Sequence, residues 1–93
     1  MDWKPYDPAW LVQWVRANEP EMTWLADALA TCTRAASGGR AYLYFADPAD
    51  AGQTGAEWQL EETLRLDSTP QGTLLLDILA GRRVGGIEFT ARL

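Results

Sequence analysis

The sequence predicts an α+β domain in which two N-terminal helices pack on one face of a four-stranded antiparallel β-meander. Three observations lead there. Apolar residues in the first third recur at spacings of three and four, the period of a helix with one buried stripe. Past Gly38-Gly39 the period becomes two, which is the mark of strands. Glycine, proline and aspartate then cluster where hairpin reversals are needed. With 93 residues, 47% hydrophobic and 23% charged, the chain has the length of one domain and an ordinary globular composition. A helical part, 8–37, and a meander, 40–92, therefore share one unit, 1–93.

The opening residues carry Trp3, Pro5 and Tyr6 without periodicity and read as an extended lead-in. Asp7 then offers an N-cap, and Pro8 suits the first helical position, whose N–H is unpaired in any helix. Trp10, Leu11, Trp14 and Val15 make one stripe while Gln13 and Arg16 face away, so the first helix is expected over about 8–17. Asn18 with Glu21 has the spacing of a capping box, and Pro20 falls in the first turn. Met22, Leu25, Leu29, Cys32 and Ala36 continue at helical spacing, which predicts a second helix over about 20–37. Gly38-Gly39 is expected to end it, since glycine takes a left-handed C-terminal conformation with least strain.

Ala41, Leu43 and Phe45 alternate with Tyr42 and Tyr44 in the first predicted strand. Residues 47–56 are turn formers and make a ten-residue loop, the segment expected to be most mobile. Trp58, Leu60, Leu64 and Leu66 share one face of the second strand, over about 57–67. Glu62 breaks that alternation, and a bulge or bend near Glu61-Glu62 would turn its charge outward. Leu74, Leu76 and Ile78 form the third strand after the turn 68–72. In the fourth, Val84 is out of phase with Ile87 and Phe89, and Gly85-Gly86 allows a bulge that absorbs the slip.

Composition excludes much chemistry. There is no histidine and one cysteine, Cys32, so histidine-based catalysis, a histidine-assisted zinc site and an internal disulfide are all out of reach. Thirteen carboxylates against eight basic groups give a net charge of −5, unsuited to binding a phosphate backbone. No nucleic-acid partner is expected. The first residues lack the features of a signal peptide, and no apolar run is long enough for a bilayer, so a cytoplasmic protein without membrane contact is expected. The acidic loop with Asp47, Asp50 and Glu57 lacks calcium-loop spacing, and neither a metal nor a cofactor is expected. Cys32 reads as an inert buried thiol, and Arg82-Arg83 as a solvated turn rather than an anion site.

The stretch from Leu74 to Phe89, with Asp77, a turn through Gly81 and then Gly85-Gly86-Ile87-Glu88, resembles the tail of a small bacterial family, the domain of unknown function numbered twenty-two eighty-three. Ala41 to Phe45 is similar to the opening strand of that family. The resemblance spans about residues 40–90 and has no counterpart for the helical third. It implies a β-meander and, since the family has no agreed activity, no reaction.

Two groups of residues stand out as candidate sites. Asp77 and Glu88 fall on neighbouring strands, where two carboxylates could act as an acid/base pair or hold a hard cation. Direct opposition of like charges destabilises a sheet, so they are expected to be offset or paired with Arg82, Arg83 or Arg92. Trp3, Tyr6, Trp10, Trp14 and Trp24 crowd the first 24 residues, more ring surface than a short helix and a small sheet readily hide. Core filler is the plain reading of these rings; an interface is the functional one. The chain is thus read as a non-catalytic protein-interaction module, an immunity or antitoxin-like inhibitor of a basic protein or a self-associating homodimer. The alternative is a small-molecule-binding or carboxylate-dependent enzyme domain, its pocket between the first helix and the sheet lined by Trp10, Trp14 and Trp58.

Overall fold

In the computed structural model, which describes residues 1–93, helix α1 spans Ala9–Asn18. Pro8 stands at the N-cap rather than at the first helical position, and Asp7 Oδ1 accepts the Ala9 N–H at 3.0 Å. Leu11 and Val15 are the buried positions of the predicted stripe. The expected capping box does not form. Helix α1 runs on through Asn18, whose Nδ2 donates to the Trp14 carbonyl at 2.9 Å. Helix α2 covers only Thr23–Ala30 and buries Leu25, Ala26 and Leu29. Arg16 bridges the pair by an ion pair to Asp27 at 3.0 Å.

The predicted helix 20–37 is therefore too long at both ends. Thr31 Oγ1 donates to the Ala28 carbonyl at 2.7 Å, and the Thr33 N–H turns back to the Thr31 carbonyl at 2.9 Å, which closes the helix. Side-chain hydroxyls compete with the helical ladder in this way. Arg34–Ser37 then runs as a strand, and Gly38 lies in a hairpin, where its N–H donates to the Tyr42 carbonyl at 2.8 Å.

The sheet has six antiparallel strands, not four. They are β1 (Lys4–Pro5), β2 (Arg34–Ser37), β3 (Tyr42–Tyr44), β4 (Leu60–Thr69), β5 (Gly72–Leu79) and β6 (Arg83–Phe89), in the order β1-β2-β3-β6-β5-β4. The strands that follow the long loop pair as β4-β5-β6 through short turns, and the outer side of β6 then takes β3. Leu43 lies opposite Ile87 there, and the Phe45 and Ala46 N–H groups both donate to the Gly85 carbonyl. Both predicted bulges are present. Register shifts between Leu60 and Glu62, and Gly85 is the extra residue where Asp77 opposite Gly86 gives way to Ile78 opposite Val84. In the β5–β6 turn Gly81 and Arg82 both take positive φ, 78° and 56°.

These pairings sort the side chains onto two faces. Leu74, Leu76, Ile78, Ile87 and Phe89 meet Leu11, Val15, Leu25 and Leu29 of the helices in the main core. Full burial of each such side chain contributes about 1.5–3 kcal/mol. The other face carries a small second cluster, in which Trp58, Leu79 and Ala46 pack with Tyr42 and Tyr44. No helix covers that face. The edge strand β4 is protected by its two bulges and by exposed Glu61, Glu62 and Arg65, devices that discourage strand addition.

Candidate functional site

The helix-free face is built around Tyr42. Strand alternation puts Leu43 into the core and Tyr42 and Tyr44 on the opposite side, with ring centroids 4.5 Å apart. Gly86 gives Tyr42 the room to lie across β6, and its phenol donates a hydrogen bond to Asp77 Oδ2. Thr63 Oγ1 donates to Asp77 Oδ1 at 3.2 Å. Burial and the hydrogen bond to the Asp77 carboxylate push the Tyr42 phenol well above the usual tyrosine range, with the negative charges of Asp77 and Glu88 adding to this. The phenol stays protonated and acts as a donor.

Asp77 and Glu88 share this face and are offset, the first of the two arrangements expected. Asp77 lies opposite Gly86, and Glu88 lies opposite Tyr42 on one side and Leu75 on the other. Neither pairs with an arginine. Arg82 lies over the Trp24 ring, Arg83 donates to the carbonyls of Ala80 and Glu57, and Arg92 lies over Phe89. Nearby, Arg65 and Thr73 donate to Asp67 and hold its carboxyl below the usual range. The sequence reading singled out Asp77 and Glu88 but missed Tyr42, Thr63 and Gly86. Two tyrosines on the non-core side of an alternating strand were the available signal.

All five candidate aromatic residues are half-buried, and four of them fall into three groups apart from Trp14. Trp10 and Tyr6 lie together: the indole N–H donates to Tyr6 Oη at 2.9 Å, the Trp10 ring stacks on Phe89 at 6.4 Å, and Tyr6 tilts on Phe45 at 5.4 Å. Trp24 sits at the opposite end of β6, under the Arg82 guanidinium at 4.8 Å. Trp3 lies beside β2, under Arg34 at 4.2 Å. Trp10, Trp14, Trp24 and Tyr6 all pack against the main core. The large apolar side chains that are exposed are Met1, Leu60 and Leu93. Trp58 belongs to the second cluster on the other sheet face, so the pocket expected between Trp10, Trp14 and Trp58 does not exist. The sheet itself separates those rings.

Cys32 is buried, and its thiol donates to the Ala28 carbonyl at 3.6 Å. Burial pushes the thiol up to about 12, against a smaller opposing effect of Thr31. Iodoacetamide at about pH 8 is expected to leave the folded chain unlabelled while labelling the urea-unfolded chain fully, as read by mass. Equal labelling of both would contradict this burial. In the loop, Asp47 Oδ1 accepts the Ala49 N–H at 2.9 Å, and Glu57 faces Arg34. No three histidine, cysteine, aspartate or glutamate side chains converge to hold a metal ion, and no helix is long and apolar enough to cross a membrane.

No protein-family model, curated protein or solved structure matches the chain, so the resemblance of residues 40–90 to the bacterial domain draws no support from them.

Proposed function

We propose that this chain is a non-catalytic protein-interaction module that receives a basic partner on the open face of its sheet, as an immunity protein or antitoxin-like inhibitor would. The uneven engagement of its charges carries this reading. Four of the thirteen carboxylates, Asp2, Asp27, Glu57 and Asp67, sit in ion pairs, and Asp7, Asp47 and Asp77 accept hydrogen bonds from backbone or hydroxyl donors, which leaves six without a cation or such a donor. Every basic side chain, by contrast, is held by a carboxylate, a carbonyl or a ring. Glu61, Glu62, Asp77 and Glu88 lie on strands β4 to β6 without a cation. An arginine or lysine arriving there meets Glu88 beside the Tyr42 and Tyr44 rings, which adds cation–π attraction to ion pairing.

A face-to-face homodimer fits less well, because it would bring these carboxylates close to their own copies. The enzyme alternative also has less behind it. Both oxygens of Asp77 already accept hydroxyl donors, and no cleft is lined by Asp77, Glu88 or Tyr42.

The test is titration of isotope-labelled protein with a short extended peptide of alternating arginine and leucine, followed by NMR. Shifts confined to Tyr42, Leu75, Asp77 and Glu88, weakened by salt and lost in Glu88→Lys, are the expected result. Shifts on the helical face around Trp10 and Trp14, or scattered over every acidic residue, would sink the proposal.

A further inference from the structure

At one end of the sheet, where the chain leaves α2 and meets the starts of β2 and β6, lies a cleft of about 250 Å³. Phe45 and Val84 form part of its apolar floor, and its rim carries Arg34, Arg83, Thr31 and Thr33. Both guanidinium groups are held in place. Arg83 donates through Nε to the Ala80 carbonyl at 3.2 Å and through Nη2 to the Glu57 carbonyl at 2.8 Å. Arg34 lies over the Trp3 ring, and its Nη2 is 3.9 Å from the Glu57 carboxylate. These contacts leave most donors of both forks unused.

Glu57 therefore meets one arginine through its backbone and the other through its side chain. Its carboxylate is the single acidic group on the cleft, and at 3.9 Å it makes a loose, solvent-exposed pair. A third arginine, Arg82, lies in the groove that continues past Thr31 and Arg83, together with Asp27, which is paired with Arg16. Three of the eight basic residues of a chain with net charge −5 thus gather at one end. The C-terminus of α2 points here too, and its partial negative charge would oppose an anion. That opposition is muted, because the Ala28 carbonyl accepts from Thr31 N, Thr31 Oγ1 and Cys32 Sγ, and the Leu29 carbonyl accepts from Cys32 N.

We propose that this cleft binds a small phosphate monoester. The oxyanion takes the place beside Arg34 that the Glu57 carboxylate holds loosely, and the ester substituent rests against Phe45 and Val84. Two guanidinium forks from separate strands suit a tetrahedral group with oxygens in several directions better than a planar carboxylate. The site is independent of the open sheet face. A guanidinium cluster in an acidic chain, with its own glutamate as the resident competitor, is what carries the inference.

The experiment titrates the protein with inorganic phosphate, phenyl phosphate and acetate at matched ionic strength, following the arginine Nε–H resonances. Saturable shifts at Arg34 and Arg83 are expected with phosphate, tighter with phenyl phosphate, and absent with acetate. Glu57→Gln removes the competitor and should tighten phosphate about two- to fivefold, the worth of one exposed ion pair. Arg34→Gln, which leaves the carbonyl bonds of Arg83 intact, should abolish saturation. An equal response to acetate would overturn the phosphate assignment. Unchanged binding in Arg34→Gln, or weaker binding in Glu57→Gln, would overturn the site.

Discussion

Gly86→Ala is expected to destabilise the fold by about 3 kcal/mol, an overpacking cost at the upper end for a dense site. The midpoint of thermal unfolding should fall by roughly 10–20 °C for a domain of this size. A Cβ at this position would lie 2.7 Å from the Leu43 carbonyl oxygen and closer still to Tyr42 Oη. Gly86 has no positive φ, so what the position requires is space rather than a special backbone. Neither neighbour can give way freely. The carbonyl belongs to β3, which is paired to β6, and the phenol is tied to Asp77. Placing Gly86→Ala in a Tyr42→Ala background separates the two clashes: removal of the phenol should recover part of the loss and leave the carbonyl clash. Gly52→Ala is the control, since φ is 79° there with nothing within 4 Å, and its cost should stay at about 1 kcal/mol for the left-handed backbone alone. Urea unfolding of the wild type and these variants, with Tyr42→Ala alone as the reference for the double substitution, reads all of this. Should Gly86→Ala cost no more than Gly52→Ala, the close crossing of Tyr42 over β6 is not there, and the proposed docking face loses its central ring.

That crossing marks the limit of what the sequence allowed to be read. The bulge at Gly85 was legible because Val84 and Ile87 fall out of phase, and the one at Glu61 because a carboxylate interrupts an apolar alternation. Both signals are local. The pairing of β3 with β6 is not, since it joins segments separated by two hairpin strands and a long loop, and nothing within Tyr42–Tyr44 specifies which edge it will meet. The second helix was overextended for a related reason. Cys32 and Ala36 continue the spacing of Leu25 and Leu29, yet the helix ends at Ala30, the bonds of Thr31 close it, and Ala35 enters the core from a strand. Small apolar residues fit either period, so the Thr31 hydroxyl and the tertiary pairing decided. Of the candidate sites, Asp77 and Glu88 were legible as neighbours because strand partners can be counted along a hairpin, while the choice between an offset and an arginine partner was not. Their phenolic partner came from the non-local strand and was missed.

Trp10→Ala is expected to destabilise the protein by about 2–4 kcal/mol, in the range for truncating a large aromatic ring that is packed but not wholly enclosed. The ring joins three elements: it rises from α1, stacks on Phe89 of β6, and donates its N–H to Tyr6, which in turn tilts on Phe45 beside β3. Truncation would open space over Phe89 and strip the Tyr6 hydroxyl of its donor in a half-buried position. Trp10→Phe keeps most of the stack and loses only the N–H, so its cost should be nearer about 1 kcal/mol. The pair of substitutions thus separates packing from hydrogen bonding. Light scattering on each variant supplies the other axis, because an interface residue would alter the molar mass from the 10.3 kDa chain or its multiple while sparing stability. A large loss of stability with unchanged mass assigns Trp10 to the core. The reverse pattern, intact unfolding free energy with altered mass, would return the N-terminal rings to the role of an interface and shift the search for a partner from the open sheet face to the helices.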